Sequence, residues 1–224
     1  LINSAFNLYY QPIMLYKQNI DNCFNDVIGD KGICKDAFAH NLTLANQQIV
    51  KLQQQQKAGG LPLFDFVEKN SDLAQIKHTT KYIADNFKEL IIFGIGGSSL
   101  GGQTLCGMKF YQHFFDKDKI RIKFFDNIHY HNFNLLLNAI DIEDTAFLVI
   151  SKSGHTIETI TQTLVTIDYF KERVANLGKH FFFLTEDTDN PLRNFAKNLQ
   201  ATILDHLKYF VGFYSCFTNV GLFP

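Results

Sequence analysis

Five short apolar segments, separated by stretches long enough for helices, limit this chain to one class of fold. The segments span residues 90–95, 120–125, 146–150, 181–184 and 202–204, and the helix-length stretches span residues 100–115, 132–140, 156–176 and 191–199. Strands that alternate with helices are typical of a parallel sheet covered by helices on both faces. The segments lack polar alternation, as expected for strands buried on both faces. We therefore predict an α/β fold with a five-stranded parallel sheet.

The first part of the chain has a different pattern. Residues 36–56 carry an approximate helical stripe of apolar side chains, and the Gly59-Gly60-Leu61-Pro62 sequence ends that helix. Ser71 is a suitable N-cap for a second helix. We predict a helical N-terminal segment over residues 1–85 and a single α/β domain over residues 86–224.

Composition excludes several classes of function. A formal net charge of −1 removes the electrostatic basis for binding nucleic acid or an anionic membrane. The apolar runs are far shorter than the about 20 residues of a membrane helix, and no secretory signal opens the chain, so we expect a cytoplasmic location. The four cysteines form no C-x-x-C pair. We therefore expect buried free thiols, no metal and no cofactor.

A glycine-rich loop directly follows the first apolar segment. It reads Gly94-Ile95-Gly96-Gly97-Ser98-Ser99-Leu100-Gly101-Gly102. Ligands of open parallel sheets bind beyond the carboxyl ends of strands, and glycines let the backbone approach an anion beside a helix N-terminus. The spacing matches neither the dinucleotide-binding G-x-G-x-x-G motif nor a P-loop. The loop indicates either a phosphate site or only a tight turn between strand and helix.

A second polar loop follows the third apolar segment. It reads Ser151-Lys152-Ser153-Gly154-His155-Thr156-Ile157-Glu158-Thr159 and leads into a predicted helix. Hydroxyl groups and backbone N–H groups at a helix N-terminus can surround a phosphate dianion. The alternative is a simple helix cap formed by Thr156 and Glu158. A cap needs one hydroxyl, whereas this loop supplies three with a glycine and a lysine, which favours the phosphate site.

The two loops resemble motifs of the glucose-6-phosphate isomerase family. Residues 94–101 are similar to its glycine-rich loop, and residues 149–159 are similar to its phosphate-binding signature. Residues 211–222 resemble its third signature, and the resemblance covers residues 60–224 in the family's order. It implies a three-layer sugar-isomerase (SIS) domain with a five-stranded parallel sheet. The family has two such domains, and this chain would supply the first.

The resemblance implies a set of substrate-binding residues and no cofactor. Carried over by position, the set is Gly97, Ser98, Ser151, Lys152, Ser153 and Thr156. The serine and threonine hydroxyls from residue 151 onward would bind the phosphate, the lysine would back them, and the first two residues would contact the sugar. His155 stands where the family usually has threonine, so we expect it to be an exposed loop residue.

The catalytic residues of the family have no counterpart here. Its third signature contains Gly-Gly-Arg, whose arginine stabilises an enediolate, whereas this chain reads Val211-Gly212-Phe213-Tyr214-Ser215. Either Phe213 replaces the arginine or one residue is deleted. The family's glutamate base, and the histidine and lysine that assist ring opening, belong to segments expected beyond Pro224. We therefore expect no catalytic residue in this chain.

Three functional hypotheses follow. The chain is the front part, a fragment, of a glucose-6-phosphate isomerase, an enzyme of glycolysis and gluconeogenesis that interconverts glucose 6-phosphate and fructose 6-phosphate through an enediol. Alternatively, it is a non-catalytic phosphosugar-binding module, or a decayed gene product without a selected function. We expect this chain to bind a small-molecule phosphosugar and to isomerise it negligibly.

The C-terminal segment also suggests self-association. In the resembled family, a second domain and a partner subunit partly cover the first domain. We expect this chain to expose an apolar surface around Phe217, Val220, Leu222 and Phe223. Because contiguous exposed apolar patches promote association, we predict a homo-oligomer or poor solubility.

Overall fold

The computed structural model describes residues 18–62, 73–108, 120–210 and 212–224. The chain divides into two compact units, Leu1–Leu61 and Pro62–Pro224. The domain boundary at residue 85 stays a prediction, and Ser71 lies outside the described residues.

The first unit is helical over its described part. A 3-10 turn, Asp21–Cys23, precedes the short helix α1, Asn25–Ile28, and the long helix α2 spans Lys35–Lys57. The ring of Phe24 meets that of Phe38 edge-on at 5.5 Å between centroids. The apolar stripe predicted for residues 36–56 does lie on a helix, but no residue of α2 is buried.

The second unit contains the predicted sheet. Its strands are β1 Glu89–Phe93, β2 Arg121–Phe125, β3 Thr145–Ile150, β4 Phe181–Thr185 and β5 Thr202–Asp205. Their order across the sheet is β2-β1-β3-β4-β5, and every neighbouring pair is parallel. The predicted five-stranded parallel sheet is therefore confirmed.

Helices cover both faces of this sheet. They are α3 Leu73–Asn86, α4 Leu100–Met108, α5 Tyr130–Ala139, α6 Ile157–Phe170, α7 Pro191–Asn198 and α8 Asn219–Leu222. Helix α3 and the C-terminal segment contribute to the core on one face, and helices α5, α6 and α7 contribute to the core on the other. This is the predicted three-layer α/β arrangement.

Alternation along each strand divides the apolar side chains between the two layers. In β1, Leu90 and Ile92 lie in one core, whereas Ile91 and Phe93 lie in the other. Strands β1, β3 and β4 are buried along their whole length. The expectation of burial on both faces is wrong for β2 and β5, because these strands form the edges of the sheet and are partly exposed.

One predicted segment differs from the structure, and another is described only in part. Helix α6 ends at Phe170 instead of residue 176, because the chain turns there towards the 3-10 helix Leu177–His180 that leads into β4. The predicted helix 100–115 is present as α4, and residues 109–115 lie outside the described part. None of the described helices is long and apolar enough to cross a membrane.

Two of the four C-terminal residues that were predicted to form an exposed apolar surface are exposed, and two are buried. Phe217 and Leu222 are 66% and 43% exposed, in line with the predicted apolar surface. Val220 and Phe223 are instead buried, because they belong to the core that α3 shares with the sheet.

Candidate functional site

The two polar loops identified in the sequence both follow the carboxyl ends of strands, at the same end of the sheet. Strands β1 and β3 are parallel neighbours, with Phe93 paired to Val149 near their carboxyl ends. The strand order also reverses here, because β2 lies on the other side of β1. Open α/β sheets bind ligands at such a switch point, in the crevice outside the strand ends.

The loop after β3, residues 151–156, brings two hydroxyl groups together; we call it the phosphate loop. Ser151 Oγ lies 2.8 Å from Thr156 Oγ1. Ser151 is buried, and its backbone N–H donates to the Leu184 carbonyl at 3.1 Å. Thr156 is the N-cap residue of α6, but its side chain makes no capping hydrogen bond. The helix-cap alternative therefore does not describe this threonine.

Two other helices in this unit have a side-chain cap, whereas α5, like α6, has none. The side-chain oxygen of Asn190 accepts a hydrogen bond from Arg193 N–H at 2.9 Å at the start of α7. Thr218 Oγ1 accepts from Val220 N–H at 3.3 Å at the start of α8. The first turn of α6 lacks such a side-chain acceptor. Its N–H groups and its dipole are thus available to an anion at the phosphate loop.

The phosphate loop turns tightly at the buried Gly154, between the exposed Ser153 and His155. Ser153 Oγ accepts a hydrogen bond from the backbone N–H of His155 at 3.2 Å. His155 is exposed, as expected, and its Nδ1 lies 2.8 Å from the Ser153 carbonyl oxygen. Gly154 has φ +69°, a conformation that glycine adopts without strain.

The side chain of Lys152 binds to groups outside the Ser151–Thr156 hydroxyl pair. Its ammonium donates to the Lys208 carbonyl at 2.9 Å and lies 3.4 Å from Glu186 Oε1. The Lys152 carbonyl accepts from Glu186 N–H at 3.0 Å. The lysine therefore links the phosphate loop to the chain that follows β4 and β5.

The glycine-rich loop contacts the C-terminal segment. A Cβ atom on Gly97 would lie 2.6 Å from Gly212 Cα, and one on Gly101 would lie 2.6 Å from Cys216 Cβ. Gly97 and Ser98 are half-buried and belong to the 3-10 helix Gly96–Ser98, which follows the end of β1. Because glycine has no side chain at these positions, the segment 212–216 packs closely against the glycine-rich loop. The same lack of a side chain would let the loop backbone approach a ligand.

Two polar residues near the carboxyl ends of the strands were not identified as candidates in the sequence analysis. His206 follows β5 and is 5% exposed, and burial lowers its pKa below the ordinary value of 6.5. Gln162, on α6, donates from Nε2 to the carbonyls of Phe125 and Asn127 at 2.9 and 3.1 Å. The rule that sites lie beyond strand ends could have drawn attention to His206, whereas no local pattern marks Gln162.

Among the described residues, neither the cysteines nor the other metal-ligating side chains form a centre. Cys23 and Cys34 are exposed, and Cys106 and Cys216 are half-buried, so the expectation of buried thiols is wrong; none of the four is in a disulfide. Within the described ranges, no three His, Cys, Asp or Glu side chains are grouped to hold a metal ion.

Comparison with known families decides the affiliation. A model of the family described as phosphoglucose isomerase matches residues 65–224. The chain belongs to the phosphoglucose isomerase family. Among curated relatives, glucose-6-phosphate isomerase of Carboxydothermus hydrogenoformans is 29% identical over 223 residues, which cover 94% of this chain and 47% of that protein. The enzyme of Campylobacter jejuni is 29% identical over 176 residues, covering 78% and 42%.

Solved structures agree with this assignment. A hypothetical protein from Thermus thermophilus superposes with a TM-score of 0.71 at 24% identity, covering 84% of this chain and 45% of that one, which supports the fold. A glucose-6-phosphate isomerase from Chlamydia trachomatis gives a TM-score of 0.56 at 28% identity, covering 66% and 28%. This phosphoglucose isomerase family chain spans about half the length of the curated relatives named above.

Proposed function

We propose that this chain binds a phosphosugar of the glucose 6-phosphate type at the phosphate loop. The observation that carries the proposal is the convergence of Ser151 Oγ and Thr156 Oγ1, 2.8 Å apart, at the uncapped start of α6. One of these hydroxyls donates to the other in the ligand-free chain. When phosphate replaces that mutual bond, both hydroxyls and the first-turn N–H groups can donate to phosphate oxygens, and the helix dipole favours a dianion. Family membership and the names of the relatives support a phosphosugar as the ligand.

The six residues predicted from the sequence take distinct roles in this proposal. Ser151 and Thr156 donate to the phosphate, and Ser153 contributes its hydroxyl from the exposed rim of the same loop. Gly97 and Ser98, after the neighbouring strand, face the sugar. Lys152 acts through the loop and does not bind the ligand directly, because its ammonium is held by Glu186 and the Lys208 carbonyl.

We propose that residues 1–224 on their own bind this ligand without isomerising it. The family reaction moves a proton between C1 and C2 through an enediol, which needs a base and a cation at the reacting carbons. Near the strand ends, Glu186 is paired with Lys152, and Asp187 and Asp205 lie 2.8 Å from the guanidinium nitrogens of Arg193. Phosphate anchoring alone gives uniform binding, which does not accelerate the chemical step.

Calorimetric titration of the purified 224-residue chain with glucose 6-phosphate tests the binding proposal. Ser151→Ala and Thr156→Ala should each weaken binding by about tenfold or more, because each removes a charge-assisted hydrogen bond. Thr161→Ala is the matched control, since Thr161 lies on an exposed part of α6 and its hydroxyl donates to the Ile157 carbonyl of the same helix. Glucose without phosphate should give no heat. Equal affinity in all three variants would contradict the phosphate loop as the site.

A coupled assay for fructose 6-phosphate formation tests the absence of turnover. We expect no rate above the uncatalysed background at saturating glucose 6-phosphate. Activity that is lost in Ser151→Ala would overturn that expectation while supporting the same binding site.

A cytoplasmic location and self-association through the exposed side chains of Phe217 and Leu222 stay predictions. Sedimentation velocity over a range of concentrations would test association. A Phe217→Ser variant should shift the distribution towards monomer, because an exposed apolar side chain is removed.

A further inference from the structure

Three neighbouring strands are each followed by a polar residue at their carboxyl end, and the first of these residues belongs to the phosphate loop. Lys152 follows β3, Glu186 follows β4 and His206 follows β5. Their backbones are also joined, because Glu186 N–H donates to the Lys152 carbonyl at 3.0 Å and His206 N–H donates to the Thr185 carbonyl at 2.8 Å. The backbone that follows β3, β4 and β5 is therefore hydrogen-bonded from one strand end to the next.

The Lys152–Glu186 pair is partly buried. The two side chains are 26% and 20% exposed, and the ammonium lies 3.4 Å from Glu186 Oε1. The same ammonium donates to the Lys208 carbonyl at 2.9 Å. Partial burial strengthens the attraction between these charges relative to a surface pair. The pair therefore restrains the residue next to Ser151.

His206 lies within the electrostatic influence of both members of the pair. Burial is the main cause of its lowered pKa; the positive charge of Lys152 lowers the pKa further, and the negative charge of Glu186 raises it. His206 Nδ1 lies 3.0 Å from the Leu207 carbonyl oxygen, so the neutral ring donates from Nδ1.

We propose that Lys152 and Glu186 are positioning residues that hold the phosphate loop in its binding geometry. This inference rests on the proposed function for what the loop binds. When either charge is removed, the pair is broken. The loop then loses the restraint that keeps Ser151 opposite Thr156.

Substitution of Glu186 separates positioning from simple electrostatics. If Glu186 only opposed an anion at the loop, Glu186→Gln would tighten the binding of inorganic phosphate. Positioning predicts the opposite, an affinity about fivefold weaker, because the partner of Lys152 is lost. Lys152→Met should weaken phosphate binding at least as much, and Lys152→Arg should restore it. The control Lys208→Met removes a nearby cation but keeps the backbone carbonyl. Tighter or unchanged binding in Glu186→Gln would overturn the proposal.

An NMR titration of the His206 ring in the ligand-free chain gives a readout that does not depend on phosphate binding. Lys152→Met should raise the pKa of His206, Glu186→Gln should lower it, and Lys152→Arg should leave it near that of the wild type. A pKa of His206 that is unchanged in both Lys152→Met and Glu186→Gln would overturn the inference, even if phosphate binds. If the wild-type chain binds no phosphate, the proposed function fails, and these shifts still decide whether the three groups are coupled.

Discussion

The side chain of Asn190 occupies the space that a Cβ atom on Gly154 would need. Asn190 Oδ1 lies 1.9 Å from that Cβ position, and the same oxygen accepts the capping hydrogen bond from Arg193 N–H at 2.9 Å. The phosphate loop and the start of α7 are thus fitted to each other. Glycine at position 154 is needed for this contact as well as for its backbone conformation.

Gly154→Ala should therefore lower the free energy of unfolding by about 2–4 kcal/mol. The estimate combines the strain of alanine at φ +69° with loss of the Asn190 cap. Urea denaturation would measure the change. Gly107→Ala is a matched control, because a Cβ atom there meets nothing within 4 Å and alanine favours the helix by up to about 1 kcal/mol. A Gly154→Ala variant as stable as this control would contradict the packing described.

Gly97→Ala should displace the C-terminal segment from the glycine-rich loop. A Cβ atom at this position would lie 2.6 Å from Gly212 Cα and 2.8 Å from Gly212 O, and backbone atoms cannot move aside as a flexible side chain can. We expect faster amide hydrogen exchange over residues 214–222, measured by mass spectrometry. Gly107→Ala should leave that exchange unchanged. Protection equal to the wild type in Gly97→Ala would show that the contact is not needed.

Gln162→Leu should destabilise the second unit by about 1–3 kcal/mol. Gln162 Nε2 satisfies the carbonyls of Phe125 and Asn127, and leucine would leave both without that donor next to a buried side chain. Chemical denaturation would measure the loss. Thr161→Ala, on an exposed part of the same helix, should stay within about 0.5 kcal/mol of the wild type. A similarly small change for Gln162→Leu would mean that the carbonyls find other donors.

The buried His206 should make the chain less stable in acid. Its folded-state pKa lies below the ordinary value of 6.5, so the unfolded chain takes up a proton first as the pH falls below that value. The free energy of unfolding then decreases until the pH passes the lower, folded-state pKa. His206→Gln should flatten this part of the stability profile, measured by urea denaturation between pH 7.5 and pH 5. An unchanged slope would place the acid sensitivity elsewhere.

The amino-acid pattern predicts the sheet well because each central strand carries its own signal. Apolar segments such as that around Phe147 are buried in full, and the glycine and hydroxyl residues that follow them lie beyond the strand ends as expected. The edge positions of β2 and β5 could not be predicted, because exposure of an edge strand depends on its neighbours and not on its own residues.

Contacts between loops account for what the pattern could not predict at the site. The residue types of Ser151 and Thr156 marked the phosphate loop, but only the fold shows that Thr156 faces Ser151 instead of capping α6. The attachment of Lys152 to Glu186 joins residues from two strand ends, and no local spacing encodes it. Burial of Val220 likewise depends on packing with α3.

An NMR titration of the backbone amides with glucose 6-phosphate tests the central claim most directly. We predict that the largest shift changes fall on residues 151–158, with smaller changes at Gly97 and Ser98, and that inorganic phosphate reproduces the changes at residues 151–158. Changes concentrated elsewhere in the chain, or none at saturating ligand, would contradict a phosphosugar site at the start of α6.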